Sequence, residues 1–178
     1  MVHVHNDISK ILFSEQDLAN RVREMGENIT ADYAAMAGPE GIVVISILRG
    51  GAIFTCDLVR AIDMLLEMDF MAVSSYGNGV KSSGVVRILK DLNTDIRGRH
   101  VIIAEDIIDS GLTLKYLMQN LQSRGPASMT VAALMKKNTE NQADIECRYV
   151  GFECPDEFIV GYGLDYAERY RNLPYIGV

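Results

Sequence analysis

Residues 101–113 read VIIAEDIIDSGLT, and this stretch decides the fold. The opening VIIA is apolar and mostly β-branched, which is typical of a strand buried on both faces of a parallel sheet. Two acids, Glu105 and Asp106, follow at once, and the short turn 109–111 then leads into a helix predicted over 113–123. A buried strand, a polar turn and a helix in this order form the repeating unit of an α/β domain.

Each half of this stretch offers a binding site of its own. Adjacent carboxylates repel each other unless a cation or a hydroxyl-rich ligand lies beside them, so Glu105 and Asp106 indicate a ribose diol or a Mg²⁺ site. The turn after them presents free backbone N–H groups at a helix N-terminus, together with the hydroxyls of Ser110 and Thr113, which favours a phosphate. An acidic strand end before an ordinary helix start is the structural alternative. A diol or metal site beside a phosphate site predicts binding of ribose 5-phosphate.

Outward from this stretch, strands and helices continue to alternate. We predict helices over 14–37 and 52–66, and strands over 42–48, 68–76, 85–90, 100–104, 129–134 and 158–162. Ser14 and Asp17 resemble a capping box at the start of the first helix. The sequence therefore predicts one α/β domain over residues 1–178, with a mostly parallel central sheet, flanking helices and a small hood formed by the N- and C-terminal segments.

Ligands of open parallel sheets bind beyond the carboxyl ends of the strands. The polar or glycine-rich segments predicted at that edge are Arg49-Gly50-Gly51, Glu105-Asp106, Lys136 and Asp165. We therefore expect these segments to lie close together and to form the site.

Composition excludes several classes of function. The net charge is −7 and the pI about 4.9, which argues against a nucleic-acid partner. No apolar run approaches the roughly 18 residues of a membrane span, and the N-terminal MVHVHNDISK lacks the apolar core of a signal peptide, so we expect no membrane contact and a cytoplasmic protein. The three cysteines fit no zinc spacing and suit buried, reduced positions.

The stretch 101–113 resembles the phosphoribosyl pyrophosphate (PRPP) motif of type I phosphoribosyltransferases, and is similar to the hypoxanthine-guanine subfamily in particular. Other segments resemble the same family in the family's order: Leu48–Gly51 its pyrophosphate loop, Ser74–Gly77 its flexible catalytic loop, Lys136 and Phe158–Tyr162 its purine pocket, and Gly163–Tyr166 its C-terminal motif. Together they span about residues 42–171. Arg49 departs from the lysine of many relatives but keeps the charge.

The resemblance implies a purine-salvage transferase that moves ribose 5-phosphate from PRPP to hypoxanthine or guanine, with Mg²⁺ as cofactor and an oxocarbenium-like transition state under a closing loop. It implies that PRPP and its phosphates contact Arg49, Gly50, Gly51, Glu105, Asp106, Ile108, Asp109, Ser110, Gly111, Leu112, Thr113 and Arg171. The purine would contact Lys136, Phe158, Ile159 and Asp165, and Mg²⁺ would be held by Glu105, Asp106 and Asp165.

Individual roles follow from the same resemblance. Asp109 would act as acid/base near the purine N7, while Ser75 and Tyr76 would close over the pyrophosphate. Phe158 would stack on the base, and Lys136 would donate to its O6 atom, with Lys137 as the nearest rival for that role. A strained or cis peptide is expected at Arg49–Gly50.

Three other readings stay open at this point. The same fold could serve an RNA-binding regulator that senses PRPP, the strand-end acids could belong to a receiver-type signalling domain, and the base could be xanthine or adenine. The partners expected from the main reading are PRPP and a 6-oxopurine base, and the chain is expected to form a homodimer or homotetramer. The apolar segment Phe54–Leu66 is a candidate surface for packing against another subunit.

Overall fold

The computed structural model describes residues 4–75, 86–138 and 142–178. Its elements in chain order are β1 (Ile11–Phe13), α1 (Glu15–Tyr33), β2 (Ile42–Leu48), α2 (Ala52–Ala61), β3 (Leu66–Ser75), β4 (Val86–Lys90), β5 (His100–Ile108), α3 (Leu112–Gln122), β6 (Ser128–Lys136), β7 (Cys147–Glu153) and β8 (Ile176–Gly177). Six strands form one sheet in the order β4-β3-β2-β5-β6-β7. All its pairings are parallel except that of the edge strand β4 with β3, so the predicted mostly parallel sheet is confirmed.

The central strands are buried on both faces, as their apolar runs predict. On one face, Val44 and Ile102 pack with α1 and α2, which contribute Leu18 and Phe54 among others. On the opposite face, residues such as Ile103 pack with the apolar side of α3. No helix in the described part of the chain is long and apolar enough to cross a membrane.

The helix starts were predicted better than the helix ends. Ser14 caps α1 as expected: its Oγ accepts from the Asp17 N–H at 3.1 Å, and the Asp17 carboxylate accepts from the Ser14 N–H at 2.9 Å. α1 ends at Tyr33 and not at 37, and α2 ends at Ala61 and not at 66. The second helix ends early because the chain has to extend before Leu66, which begins the next strand of the sheet.

Two strand predictions need correction, and the strand β7 was missed. β5 runs to Ile108 and so includes Glu105, because the parallel pairing with β6 continues beyond the apolar run. The strand predicted over 158–162 is wrong, since Val160 and Gly161 form only isolated bridges and the chain then bends through left-handed backbone at Tyr162. β7 was not predicted, because its sequence CRYVGFE mixes polar and apolar residues without a clear period.

The predicted hood has a counterpart in a two-stranded antiparallel sheet of β1 and β8, which joins the two ends of the chain. The Ser9 N–H donates to the Val178 carbonyl at 2.8 Å, and the Tyr170 hydroxyl donates to Asp7 at 2.7 Å. The C-terminal segment is thereby fixed beside the main sheet.

The segment proposed for subunit packing is largely used inside this chain. Phe54 and Leu58 are fully buried in the core between α2 and the sheet. Leu65 is the large apolar side chain of this segment that remains exposed, at 72%, and Ile53, one position before the segment, is 37% exposed. An interface between subunits at this segment stays a prediction and would rest on these two side chains.

Asp69 is a buried carboxylate in β3 that holds the chain after β4 in place. One of its oxygens accepts from the Phe70 N–H at 2.7 Å, and the other accepts from the Asn93 and Thr94 N–H groups at 2.8 and 2.9 Å. Burial alone would raise the pKa of Asp69, but these hydrogen bonds outweigh burial and hold the pKa below its ordinary value. The ionised carboxylate therefore stabilises the fold.

We expect Asp69→Asn to lower the free energy of unfolding by about 2 kcal/mol, because the amide cannot accept all three N–H groups. Urea denaturation measures this loss. A lowered pKa gives stability that is present above the unfolded pKa of about 3.9 and is lost as pH falls through the folded pKa, so the difference between wild type and variant should narrow below about pH 4. Asp95→Asn, at an exposed carboxylate that accepts from one N–H group, is the matched control. Equal losses from both variants would contradict the assignment.

Candidate active site

The acidic pair sits near the carboxyl end of β5, in the middle of the sheet. Ionising both carboxylates here is costly: burial raises the pKa of Glu105 well above its ordinary range, and the negative charge of Asp106 adds to this. Burial also raises the pKa of Asp106, against the attraction of the nearby Arg171. The pair is therefore suited to a cationic or hydroxyl-bearing ligand that relieves the repulsion.

The glycine-rich loop after β2 lies directly against this pair. A Cβ atom added at Gly50 would fall 1.8 Å from an Asp106 carboxylate oxygen, so only glycine allows the loop to approach so closely. The cis peptide bond is Leu48–Arg49, one bond before the predicted Arg49–Gly50. The expectation at Arg49–Gly50 is therefore corrected, and the requirement for glycine at position 50 comes from its contact with Asp106.

The segment after Gly163 brings an arginine cluster to the same place. Arg171 donates to the Gly163 carbonyl at 2.6 Å and pairs with Asp165 at 3.2 Å and Glu168 at 3.3 Å. Glu168 also pairs with Arg49 at 2.7 Å. A Cβ atom added at Gly163 would fall 2.3 Å from the backbone oxygen of Gly50, so the loop after β2 and the C-terminal segment are in contact.

The turn after β5 opens α3 as predicted. Gly111 is the N-cap with a left-handed φ of 74° and has no side chain to cap the helix, and the nearest acceptor for the first helical N–H, that of Leu112, is the Ser110 hydroxyl at 3.5 Å. Asp109 and Ser110 are exposed beside this helix start, and Thr113 lies in the first turn. Free N–H groups and hydroxyls at a helix start have the chemistry of a phosphate site.

The residues predicted for a purine pocket come from two segments. Lys136 is half-buried at the end of β6, and its carbonyl accepts from the Cys154 N–H at 2.9 Å, shortly before Phe158 in the chain. Phe158 is 65% exposed and packs edge-on against Tyr166, with ring centroids 5.6 Å apart. An exposed ring beside buried Ile159 is available to stack on a flat ligand.

Asp109 faces the second of the two lysines. Its carboxylate lies 3.3 Å from the Lys137 ammonium group, while Lys136 lines a cavity of about 270 Å³ together with Ile108 and Gln142. A larger cavity of about 690 Å³ lies between α1, α2 and the C-terminal segment, and its lining includes none of the predicted site residues. We locate the site by the chemistry of Glu105, Asp106 and the turn before α3, and not by the volume of the larger cavity.

Two predicted residues fall at the edge of what is described. β3 ends at Ser75, and Tyr76 with the rest of the predicted closing loop lies outside the described residues. Within the described ranges, no group of three or more His, Cys, Asp or Glu side chains is arranged to hold a metal alone.

Sequence reasoning missed two residues that tie the site together. Glu168 joins Arg49 to Arg171, and the chain reaches it through left-handed backbone at Ala167 and Glu168, which non-glycine residues do not signal. Gln142 contacts the end of β5, and nothing in its sequence neighbourhood indicates this. The density of acids and arginines in residues 165–171 was a signal that could have led to Glu168.

Comparison with known proteins gives concordant matches. Residues 10–167 match the family model described as phosphoribosyl transferase domain. The chain is 51% identical to the hypoxanthine-guanine phosphoribosyltransferase of Bacillus subtilis (strain 168), covering 97% of this chain and 94% of the relative. The crystal structure of a hypoxanthine phosphoribosyltransferase from Staphylococcus aureus superposes with a TM-score of 0.91 at 47% identity, covering 98% of this chain and 92% of that chain.

A further relative has a different length. The chain is 52% identical to part of the bifunctional protein TilS/HprT of Listeria innocua, covering 98% of this chain and 26% of the relative. The chain therefore spans about a quarter of the length of that protein.

Proposed function

Because the chain belongs to the phosphoribosyl transferase domain family, we propose that it is a purine-salvage enzyme that transfers the phosphoribosyl group of PRPP to hypoxanthine or guanine. The products are IMP or GMP and pyrophosphate. The observation that carries this proposal is the convergence of three segments: the loop at Gly50, the acid Asp106 and the cluster around Arg171. In this proposal, Asp106 accepts hydrogen bonds from the ribose diol, and the arginines beside it attract the leaving pyrophosphate.

The proposed PRPP site uses both ends of the acidic stretch. Glu105 and Asp106 hold the ribose hydroxyls, and the turn from Asp109 to Thr113 holds the 5-phosphate through N–H groups and hydroxyls. The pyrophosphate lies against the loop at Gly50, where Arg49 and Arg171 supply charge. Gly51, Ile108, Ser110, Gly111 and Leu112 complete the PRPP contacts through their backbone.

In the reaction, the base N9 forms a bond to ribose C1 while the bond from C1 to the pyrophosphate oxygen breaks. The base loses one proton as this happens, and the Asp109 carboxylate beside N7 accepts it. The exposed position of Asp109 at the turn supports this role. Ser75 and Tyr76 close over the pyrophosphate in this proposal and keep water from the electron-poor ribose.

Mg²⁺ is the proposed cofactor, and the residues present fit it. Glu105 and Asp106 are adjacent carboxylates whose pKa values are raised by burial, and Asp165 pairs with Arg171, whose charge attracts Asp106. Mg²⁺ needs few protein carboxylates, because waters and substrate phosphates complete its ligands. When bound, the ion neutralises charge on the leaving pyrophosphate.

Lys136 and Phe158 are the residues proposed to recognise the base. Phe158 stacks on the purine, and Lys136 donates to O6, a contact that an adenine 6-amino group would not accept. The backbone of Ile159 and Asp165 contacts the other edge of the base. A homodimer or homotetramer and a cytoplasmic location remain proposals beside this one.

The test is a spectrophotometric assay with PRPP, Mg²⁺ and each of hypoxanthine, guanine, xanthine and adenine. We expect nucleotide formation with hypoxanthine or guanine and none with adenine. Turnover with adenine would contradict the assignment of Lys136. Tight PRPP binding without turnover of any base would favour a regulator that senses PRPP, and RNA binding at moderate salt would then identify it.

A further inference from the structure

The side-chain amide of Gln142 reaches the ends of two strands of the main sheet. Its Nε2 donates to the Asp109 carbonyl at 2.7 Å and to the Lys137 carbonyl at 2.9 Å, and it lies 3.4 Å from the Ile108 carbonyl. The last register pair of these strands is Ile108 with Lys136. The Lys137 N–H also donates to the Ile108 carbonyl at 2.9 Å, and the amide extends this backbone connection between β5 and β6 as far as the Asp109 carbonyl.

This connection links Asp109 and Lys136, the two residues that the proposed reaction requires at the same edge of the base. The purine N7 and O6 atoms lie on one edge of the ring, so the acid/base group and the O6 donor must be held at one separation. Asp109 follows β5 and Lys136 ends β6. The Gln142 amide is half-buried between them and lines the same small cavity as Lys136.

The phosphate turn is held by other contacts of the same segment. The Ala143 N–H donates to the Ser110 carbonyl at 2.9 Å, and a Cβ atom at Gly111 would fall 2.6 Å from the Ile145 side chain. Neither contact involves the Gln142 side chain. Loss of the amide should therefore disturb the positions of Asp109 and Lys136 more than the turn that takes the 5-phosphate.

We propose that Gln142 is a positioning residue for the purine base, which sets the separation of Asp109 and Lys136 by donating to the carbonyls of Asp109 and Lys137. The inference rests on the proposed function, because it assumes that these two side chains meet the base. It assigns to Gln142 no contact with substrate. Its effect is on geometry, where displacements of about 1 Å can cost on the order of 100-fold in rate.

The closing experiment compares Gln142→Met and Gln142→Ala with wild type. Methionine keeps the length and approximate volume of glutamine but donates no hydrogen bond, whereas alanine removes both. We expect both variants to lose about 10- to 100-fold in kcat/KM for hypoxanthine, with KM for PRPP nearly unchanged. Gln122→Met, at an exposed position of α3, is the matched control and should behave as wild type.

The outcomes separate the possible roles of Gln142. If it serves only as packing, Gln142→Met will keep wild-type constants and only Gln142→Ala will be impaired, which would overturn the inference. A rise in KM for PRPP as large as that for the base, with a lowered unfolding midpoint, would overturn it as well. Wild-type turnover in the same assay tests the proposed function separately, since its absence would reject that function before any variant is compared.

Discussion

Asp109→Asn is expected to lower kcat by about 100- to 10,000-fold, because the amide cannot accept the proton that leaves the base. The affinity for PRPP should change little, since the neighbouring N–H groups of the phosphate turn remain. Single-turnover rates measured by rapid quench, with PRPP binding measured by calorimetry, distinguish the two effects. Asparagine has the same shape, and it removes only the charge that pairs with Lys137 at 3.3 Å.

Two controls sharpen the test of Asp109. Asp144→Asn removes an exposed carboxylate on the neighbouring segment and should leave turnover unchanged. Lys137→Met breaks the ion pair but keeps the Asp109 carboxylate, so it should retain most of the turnover. Parallel losses of turnover and PRPP affinity in Asp109→Asn would assign this residue to PRPP binding and reject the acid/base role.

Gly50→Ala is expected to lower kcat/KM for PRPP by about 100-fold or more, the scale expected when reacting groups are displaced by about 1 Å. The new methyl group would begin 1.8 Å from an Asp106 oxygen, so this carboxylate would have to turn away from the proposed ribose and Mg²⁺ sites. The obstacle is the end of a side chain and not backbone, so stability should fall much less than activity. Steady-state kinetics and urea denaturation on the same protein give both numbers.

A double-mutant cycle shows whether the loss of kcat/KM in Gly50→Ala is caused by displacement of Asp106. If displacement of that carboxylate is the cause, Gly50→Ala should cost little more in a chain that already carries Asp106→Ala. Gly38→Ala, where an added Cβ would meet no atom within 4 Å, is the control and should change neither quantity. Fully additive losses would mean that the alanine disturbs the loop by another route.

The central part of the fold could be predicted because burial dictates its sequence. β2 lies at Ile42–Leu48 as predicted, since a strand covered on both faces has to be apolar throughout. β7 at the sheet edge could not be found in the same way, because its pattern is mixed. The apolar run 158–162 misled in the other direction, since it was predicted as a strand but forms only isolated bridges. The early end of α2 was missed because it depends on where β3 joins the sheet.

The residues of the candidate site also differ in how well the sequence predicts them. The acids and the phosphate turn could be located because their chemistry is carried by residue type and order within one stretch. Glu168 and Gln142 were missed because their roles come from tertiary contacts, across 119 positions to Arg49 in one case and 33 positions to Asp109 in the other. Roles of that kind depend on how distant segments meet.

The pairing of β1 with β8 has a consequence for the order in which the protein is built. Ser9 and Val178 are in contact although 169 positions separate them, and this contact anchors the segment that carries Asp165 and Arg171. The ribosome releases residues 176–178 after all the strands of the main sheet, so this anchor forms only when synthesis has passed the rest of the domain. The acids of β5 and the loop at Gly50 can fold earlier. The half of the proposed site that contains Arg171 is thus completed last, and a nascent chain has the acids of β5 before it has the arginine whose charge attracts Asp106.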